Sequence, residues 1–128
     1  MSFFARLDEY ARRGGEAVAG AGVSLDWAAL LARVDQGAAG LVSAGIGPGA
    51  TVGIAIADEV EHFVACLALL RAGAWQIALA THDPEPERQA IAGRAGVTHV
   101  LHMGSEPSVS GARHFAWPLP EGAALPAG

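Results

Sequence analysis

Five histidines, one cysteine and thirteen Asp and Glu residues could ligate a metal or move a proton in this chain. Four of them share a placement. Asp58 follows an apolar run at 51–57, His82 and Asp83 follow a run at 75–80, and His102 ends a run at 97–102. If these runs are parallel strands, all four residues gather at the carboxyl-terminal rim of a sheet, where α/β folds bind ligands. Asp58, His82, Asp83 and His102 are therefore the candidate small-ligand or metal site. The plainer reading, and the favoured one, is a helix cap at Asp58, another at Asp83, and solvated histidines.

The other reactive groups have weaker cases. His99 and His102 lie three apart on one predicted strand, so they point to opposite faces and cannot share a metal. His62 sits among the acids of a helix start, His114 lies in a poorly patterned segment, and neither has a visible partner. Cys66 stands among Val64, Ala65, Leu67 and Leu69 with no basic residue closer in sequence than His62. A nucleophilic thiolate needs a stabilising charge and access, so Cys66 reads as a small buried hydrophobe. All eight basic residues are arginine, and there is neither lysine nor asparagine. Amine nucleophiles, Schiff bases and compact ammonium counter-charges for phosphate are thus outside this chain's chemistry. No catalytic residue and no metal set is assigned.

The elements that position these groups follow from periodicity. Residues 51–57 are short, apolar and β-branched at 51, 52, 54 and 56, as in a strand buried on both faces. Asp58, Glu59 and Glu61 suit the positive start of a helix. Residues 60–72 form a nearly all-apolar helix that Gly73 ends. Residues 75–80 are a second buried strand, parallel to the first through a right-handed crossover.

Upstream, residues 2–13 look helical. Residues 16–19 and 23–25 flank Gly20-Ala-Gly22 as a small hairpin. Asp26 is an N-cap for a helix over 27–43, whose apolar positions 27, 30, 31, 34, 38, 41 and 42 make one stripe. Downstream, Asp83 caps a helix with Pro84 at its first position and Gly96 at its end. Residues 97–102 are a third strand and 113–117 a short last one. Pro118 to Gly128 reads as linker or terminus. Alternation of this kind predicts an α/β fold: a doubly wound parallel sheet with helices on both faces. Residues 1–103 make the α/β unit, and 104–128 a short strand plus a Pro/Gly-rich end.

Composition sets further bounds. Hydrophobic residues make up 52%, so the bulk of the chain folds. The net charge of −5 argues against a nucleic-acid partner. No apolar run reaches the ~18 residues of a membrane span. A single cysteine and the absence of a signal-peptide plan fit the cytoplasm. Gly45-Ile-Gly-Pro-Gly49 follows a helix and opens a strand. That is the reverse of a dinucleotide-binding loop, and it reads as a turn. The tryptophans at 27, 75 and 117 read as core or edge anchors.

Several stretches together carry a family likeness. They are Leu25-Asp-Trp-Ala-Ala-Leu-Leu-Ala-Arg-Val34, Gly37-Ala-Ala-Gly-Leu41, Gly45-Ile-Gly-Pro-Gly-Ala-Thr-Val52, and Asp58-x-x-Glu61 running to Leu70-Arg-Ala-Gly73. They resemble the N-terminal region of the adenylate-forming, AMP-binding superfamily: acyl-CoA synthetases, aryl-CoA ligases and peptide-synthetase adenylation domains. The likeness spans roughly residues 3–102, judged by the order and spacing of elements. Ala29 stands where the family has glutamate, Asp58 where it has asparagine, and His62 where it has an aromatic residue.

The resemblance implies the first subdomain of an ATP-dependent ligase. Such enzymes form an acyl-adenylate and pass the acyl group to a thiol. ATP with magnesium, and coenzyme A, are implied for a full-length parent and not for this chain. The family's phosphate loop, its other motifs and its catalytic lysine have no counterpart here, so no catalytic residue carries over. The expected role is structural, with the remainder of the ligase, or a second copy, as partner. The alternative is a stand-alone α/β module that kept the fold and binds a small ligand or protein.

Overall fold

A computed structural model describes residues 4–6, 9, 16–20, 23–80, 84–103 and 109–119. Phe4, Ala5, Arg6 and Glu9 are helical; the rest of the helix expected over 2–13 lies outside the described residues. Strands β1 (Glu16–Gly20) and β2 (Val23–Asp26) pair antiparallel as a separate hairpin. Helix α1 (Trp27–Ser43) follows directly. Then come β3 (Thr51–Ala55), α2 (Glu59–Ala72), β4 (Trp75–Ala78), α3 (Glu85–Ala95), β5 (His99–His102) and β6 (Arg113–Ala116).

The last four strands form one parallel sheet in the order β4-β3-β5-β6. The chain leaves β3 toward β4 through α2, then returns across β3 to β5 through α3. A right-handed crossover run in opposite directions places its helices on opposite faces. Side chains divide accordingly. Val52 and Ile54 of β3 join Leu30, Val34 and Leu41 of α1, Val64 and Leu69 of α2, and Leu101 in the larger core. Ala55 turns the other way, to Val100, Leu79, Val109 and Ala92 of α3. The doubly wound arrangement read from the sequence is the one observed.

Local signals explain the element ends. Asp26 accepts a 2.7 Å hydrogen bond from the Ala29 amide and starts α1. With alanine at position 29, no side chain there can reach back to complete a reciprocal capping pair. Gly73 and Gly96 end α2 and α3 with φ of 84° and 71°, the left-handed conformation glycine adopts without a Cβ penalty. Pro84 occupies the cap position of α3 and not its first helical position as expected, so the helix starts one residue later, at Glu85, and has no side-chain cap. The expected cap, Asp83, lies outside the described residues. The run at 75–80 yields a strand only to Ala78, and that strand is not buried. Trp75, Gln76 and Ala78 are all exposed, and among the described residues β4 is the last strand on its side of the sheet. Val42 also departs from the expected α1 stripe, at 55% exposure.

Segment 117–119 ties the far end of the sheet to α1. Trp117 and Leu119 are buried and join the larger core, so that core continues past residue 103. Two glycines in α1 make room for them. A Cβ on Gly37 would lie 2.6 Å from the Trp117 ring, and one on Gly40 would lie 2.7 Å from the Leu119 carbonyl oxygen. Above this contact sits Glu61, whose carboxylate accepts from the Arg33 guanidinium and, at 3.3 Å, from the Trp117 indole N–H. One carboxylate thus joins α1, α2 and the segment after β6.

Two outcomes follow from this packing. Gly40→Ala adds helix propensity, yet it must push the Leu119 backbone aside, so it lowers stability by about 1–3 kcal/mol in urea unfolding. Glu61→Ala leaves the Arg33 and Trp117 donors without their acceptor and costs about 1–2 kcal/mol in the same assay. That figure is kept below the range for fully buried ion pairs because Arg33 is 31% exposed.

Candidate functional site

The sheet reverses its direction of connection between β3 and β5. That reversal places a crevice outside their carboxyl ends, the position at which open α/β sheets bind ligands. Ala55 and His102 are opposite one another in the register, so Asp58 and His102 lie at the same end of the sheet. His82 and Asp83, the other two candidates, lie outside the described residues.

Asp58 is a helix cap. Its carboxylate accepts a 2.9 Å bond from the Glu61 amide, and its backbone is extended before α2 begins. Glu59 and Glu61 occupy the first turn and Arg71 the last, matching the helix dipole. His102 is half-buried, and its carbonyl accepts from the Trp117 amide at 2.8 Å. Among the described residues, no group of three or more His, Cys, Asp or Glu side chains could hold a metal ion.

A cavity of about 270 Å³ lies beside the same rim, lined by Ile56, Ala57, Glu59, His62, Phe63 and Cys66. Its lining is mostly apolar. His62 does have a partner: its Nδ1 lies 3.0 Å from the Ile56 carbonyl oxygen, a contact that requires the ring nitrogen to donate. The sequence offered no signal for it beyond proximity. Cys66 is half-buried, not fully buried as expected, and burial pushes its thiol up from the ordinary value. A thiol raised in this way stays protonated and is a poor nucleophile.

The remaining histidines are structural. His114 also has a partner that the sequence hid, since its Nε2 accepts from the Val109 amide at 3.1 Å and steadies the loop before β6. His99 stacks on Phe115 with ring centres 6.0 Å apart, on the face opposite His102. Burial, and secondarily the positive charge of Arg113, hold His99 below its ordinary value of 6.5. The unfolded chain therefore takes up this proton more readily than the folded one. Stability is fully present above about pH 6.5 and falls as the pH drops toward the folded value. His99→Gln should flatten the acid side of the stability profile measured by urea unfolding below that pH.

The rim thus offers a carboxylate that caps a helix, a protonated thiol and one imidazole, that of His62, bonded to the backbone. It has the shape of a ligand crevice without a nucleophile–base pair among the described residues.

Comparison with known proteins supplies the relationship. The N-terminal subdomain of Klebsiella oxytoca NpsA superposes with a TM-score of 0.81 at 20% identity, over 90% of this chain and 30% of that one. The NpsA complex with 3-hydroxyanthranilyl-AMSN gives 0.79 at 21% identity, over 87% and 23%. O-succinylbenzoate coenzyme A synthetase (MenE) from Bacillus subtilis, solved with AMP, gives 0.76 at 19% identity, over 86% and 30%. At such identities these likenesses establish the fold, and this chain spans under a third of each relative's length. The model of the AMP-binding enzyme family matches residues 7–118, nearly the whole of the folded unit, and the chain therefore belongs to that family.

Proposed function

We propose that this chain is the N-terminal portion of an ATP-dependent, AMP-forming ligase of the acid–thiol, acyl-CoA synthetase type. In this reading it builds one wall of the enzyme and does not catalyse alone. One observation carries the proposal. The fold is that of the family, over about 30% of the relatives' length, while two acids at the start of α2, Asp58 and Glu61, are already engaged. Asp58 caps the helix, and Glu61 joins Arg33 to Trp117.

These residues do not fit ATP and magnesium. Stabilising a departing pyrophosphate takes positive charge aimed at its oxygens. The chain has no lysine, and three of its eight arginines are already engaged: Arg33 with Glu61, Arg71 with Asp35, and Arg113 over the Phe115 ring. ATP, magnesium and coenzyme A therefore belong, in this proposal, to the remainder of the ligase. We place the protein in the cytoplasm, where such a ligase would meet its nucleotide and thiol.

The role of the present residues is to hold the crevice end of the sheet rigid. β3 and β5 fix the rim, the Asp58 cap fixes the start of α2, and the Glu61 carboxylate locks α2 to α1. A purified 128-residue chain, mixed with ATP, magnesium and a panel of carboxylic acids, should show no exchange of labelled pyrophosphate into ATP. The longer polypeptide of the same reading frame should show it. Exchange by the 128-residue chain itself would overturn the scaffold reading.

A further inference from the structure

We propose that β6 is an acid-released strand. Protonation of two imidazoles, His99 and His114, one on each face of the β5–β6 pair, loosens β6 from β5 and frees the segment 117–119 from the α1 notch.

The strand register sets the arrangement. Arg113 stands opposite His99, and His114 opposite Val100. Side chains alternate along each strand, so His99 and Arg113 share one face and His114 takes the other. Both rings are half-buried, and each accepts a hydrogen bond through a ring nitrogen that must lack a proton.

For His114 the acceptor is Nε2, which takes the Val109 amide at 3.1 Å. A backbone amide can only donate, so the neutral ring carries its proton on Nδ1. Protonation puts a second N–H where the acceptor was. Two donors then face each other, and the loop before β6 loses its tie to the strand. His102 lies on the same face, two residues along β5 from Val100, and α3 brings Glu85, Glu87, Arg88 and Arg94 to that side of the sheet. Whatever charge these groups present, a doubly protonated ring has no acceptor left for Val109.

For His99 the acceptor is Nδ1, 2.7 Å from the Thr98 hydroxyl. That hydroxyl accepts from the Thr51 amide at 3.1 Å. Its other neighbour, the Thr51 carbonyl at 3.2 Å, already takes the Thr98 amide at 2.8 Å. The hydroxyl proton therefore goes to His99, whose neutral ring carries its own proton on Nε2. Protonating His99 reverses this bond and sets a positive charge directly opposite Arg113, where like charges destabilise a strand pair. The Phe115 ring sits against both, 6.0 Å from the His99 ring centre and 5.3 Å from the Arg113 guanidinium carbon. Thr51 on β3 is uncharged. α1 and α2, which cover that face, hold Arg33 with Glu61 and Arg71 with Asp35 as ion pairs. The charge enters as the pH falls below about 6.5, since burial and then Arg113 hold His99 under that ordinary value.

The consequence reaches past the strand. Among the described residues β6 pairs with β5 alone. The Arg113 amide donates to the Thr98 carbonyl at 3.0 Å, and the Trp117 amide to the His102 carbonyl at 2.8 Å. From there the chain runs straight into Trp117 and Leu119, which fill the space over Gly37 and Gly40. Loosening β6 removes the anchor of that filling. β3 and β4 carry no histidine, so the response is confined to one side of the sheet.

Two measurements on the 128-residue chain test the proposal. At neutral pH, imidazole nitrogen shifts read by NMR should give opposite tautomers, Nδ1–H for His114 and Nε2–H for His99. The reverse tautomer at either ring overturns the proposal. Amide hydrogen exchange, corrected for intrinsic rates, is then compared at about pH 7.5 and about pH 5. Protection at Val109, Arg113 and Trp117 should fall at least about fivefold more than at Trp75 and Leu79, whose amides bond the β4 side to β3. An equal fall at every site means global unfolding, and no fall means no acid response; either result overturns the proposal. Replacing both rings, His99→Gln with His114→Gln, should abolish the excess loss, and its persistence there overturns the proposal. If that double variant fails to fold at neutral pH, Arg113→Gln at an exposed site takes its place. It should cut the excess loss at least about twofold, and an unchanged loss overturns the proposal.

Discussion

A parallel strand exposes its full apolar surface on both sides, so it is stable only when cover arrives on both. β3 meets that requirement completely: β4 and β5 flank it, α1 and α2 cover one face, and the α3 side covers the other. Its residues Val52, Gly53, Ile54 and Ala55 are all buried. Gly53 shows how tightly the second face closes, since a Cβ there would lie 2.5 Å from Leu79. Everything else is arranged by distance from this strand. The helices that touch it are apolar, and the hairpin β1–β2 packs on α1 and α2 outside the sheet.

Most of that arrangement was legible in the sequence, because it rests on short-range chemistry. The α1 stripe, the Asp26 and Asp58 caps, and the glycines after α2 and α3 are local signals, and each element they mark is present. The burial of β4 was misread for a nonlocal reason. An apolar run of strand length looks the same whether it is central or at an edge, and only strand order decides. The place of Leu119 was also hidden. It follows a proline in a segment of loop-like composition, and the space that receives it is created by Gly40, far away in the chain.

The candidate site was legible as a location and not as a chemistry. Position relative to the strand ends put Asp58 and His102 at one rim, which follows from the parallel order alone. What occupies those side chains could not be read. Glu61 was explicable as a helix-start acid, and it is one, but its carboxylate also accepts from Arg33 and Trp117. Arg33 reads from periodicity merely as a residue off the apolar stripe. Its partner lies on another helix, and pairing between helices becomes visible only once α1 and α2 are side by side. His62 and His114 are similar cases, because their partners are backbone groups, which every residue carries.

The notch that Gly37 and Gly40 cut into α1 bears on how the molecule is born. Among the described elements α1 is the first long helix to be made, and the groove it carries is filled by Trp117 and Leu119, which come at the end of the described residues. Until then α1 has an open seam along its buried side, and closing it requires a contact between distant parts of the chain. The seam along α1 is therefore sealed only when synthesis has carried past β6 to residues 117–119.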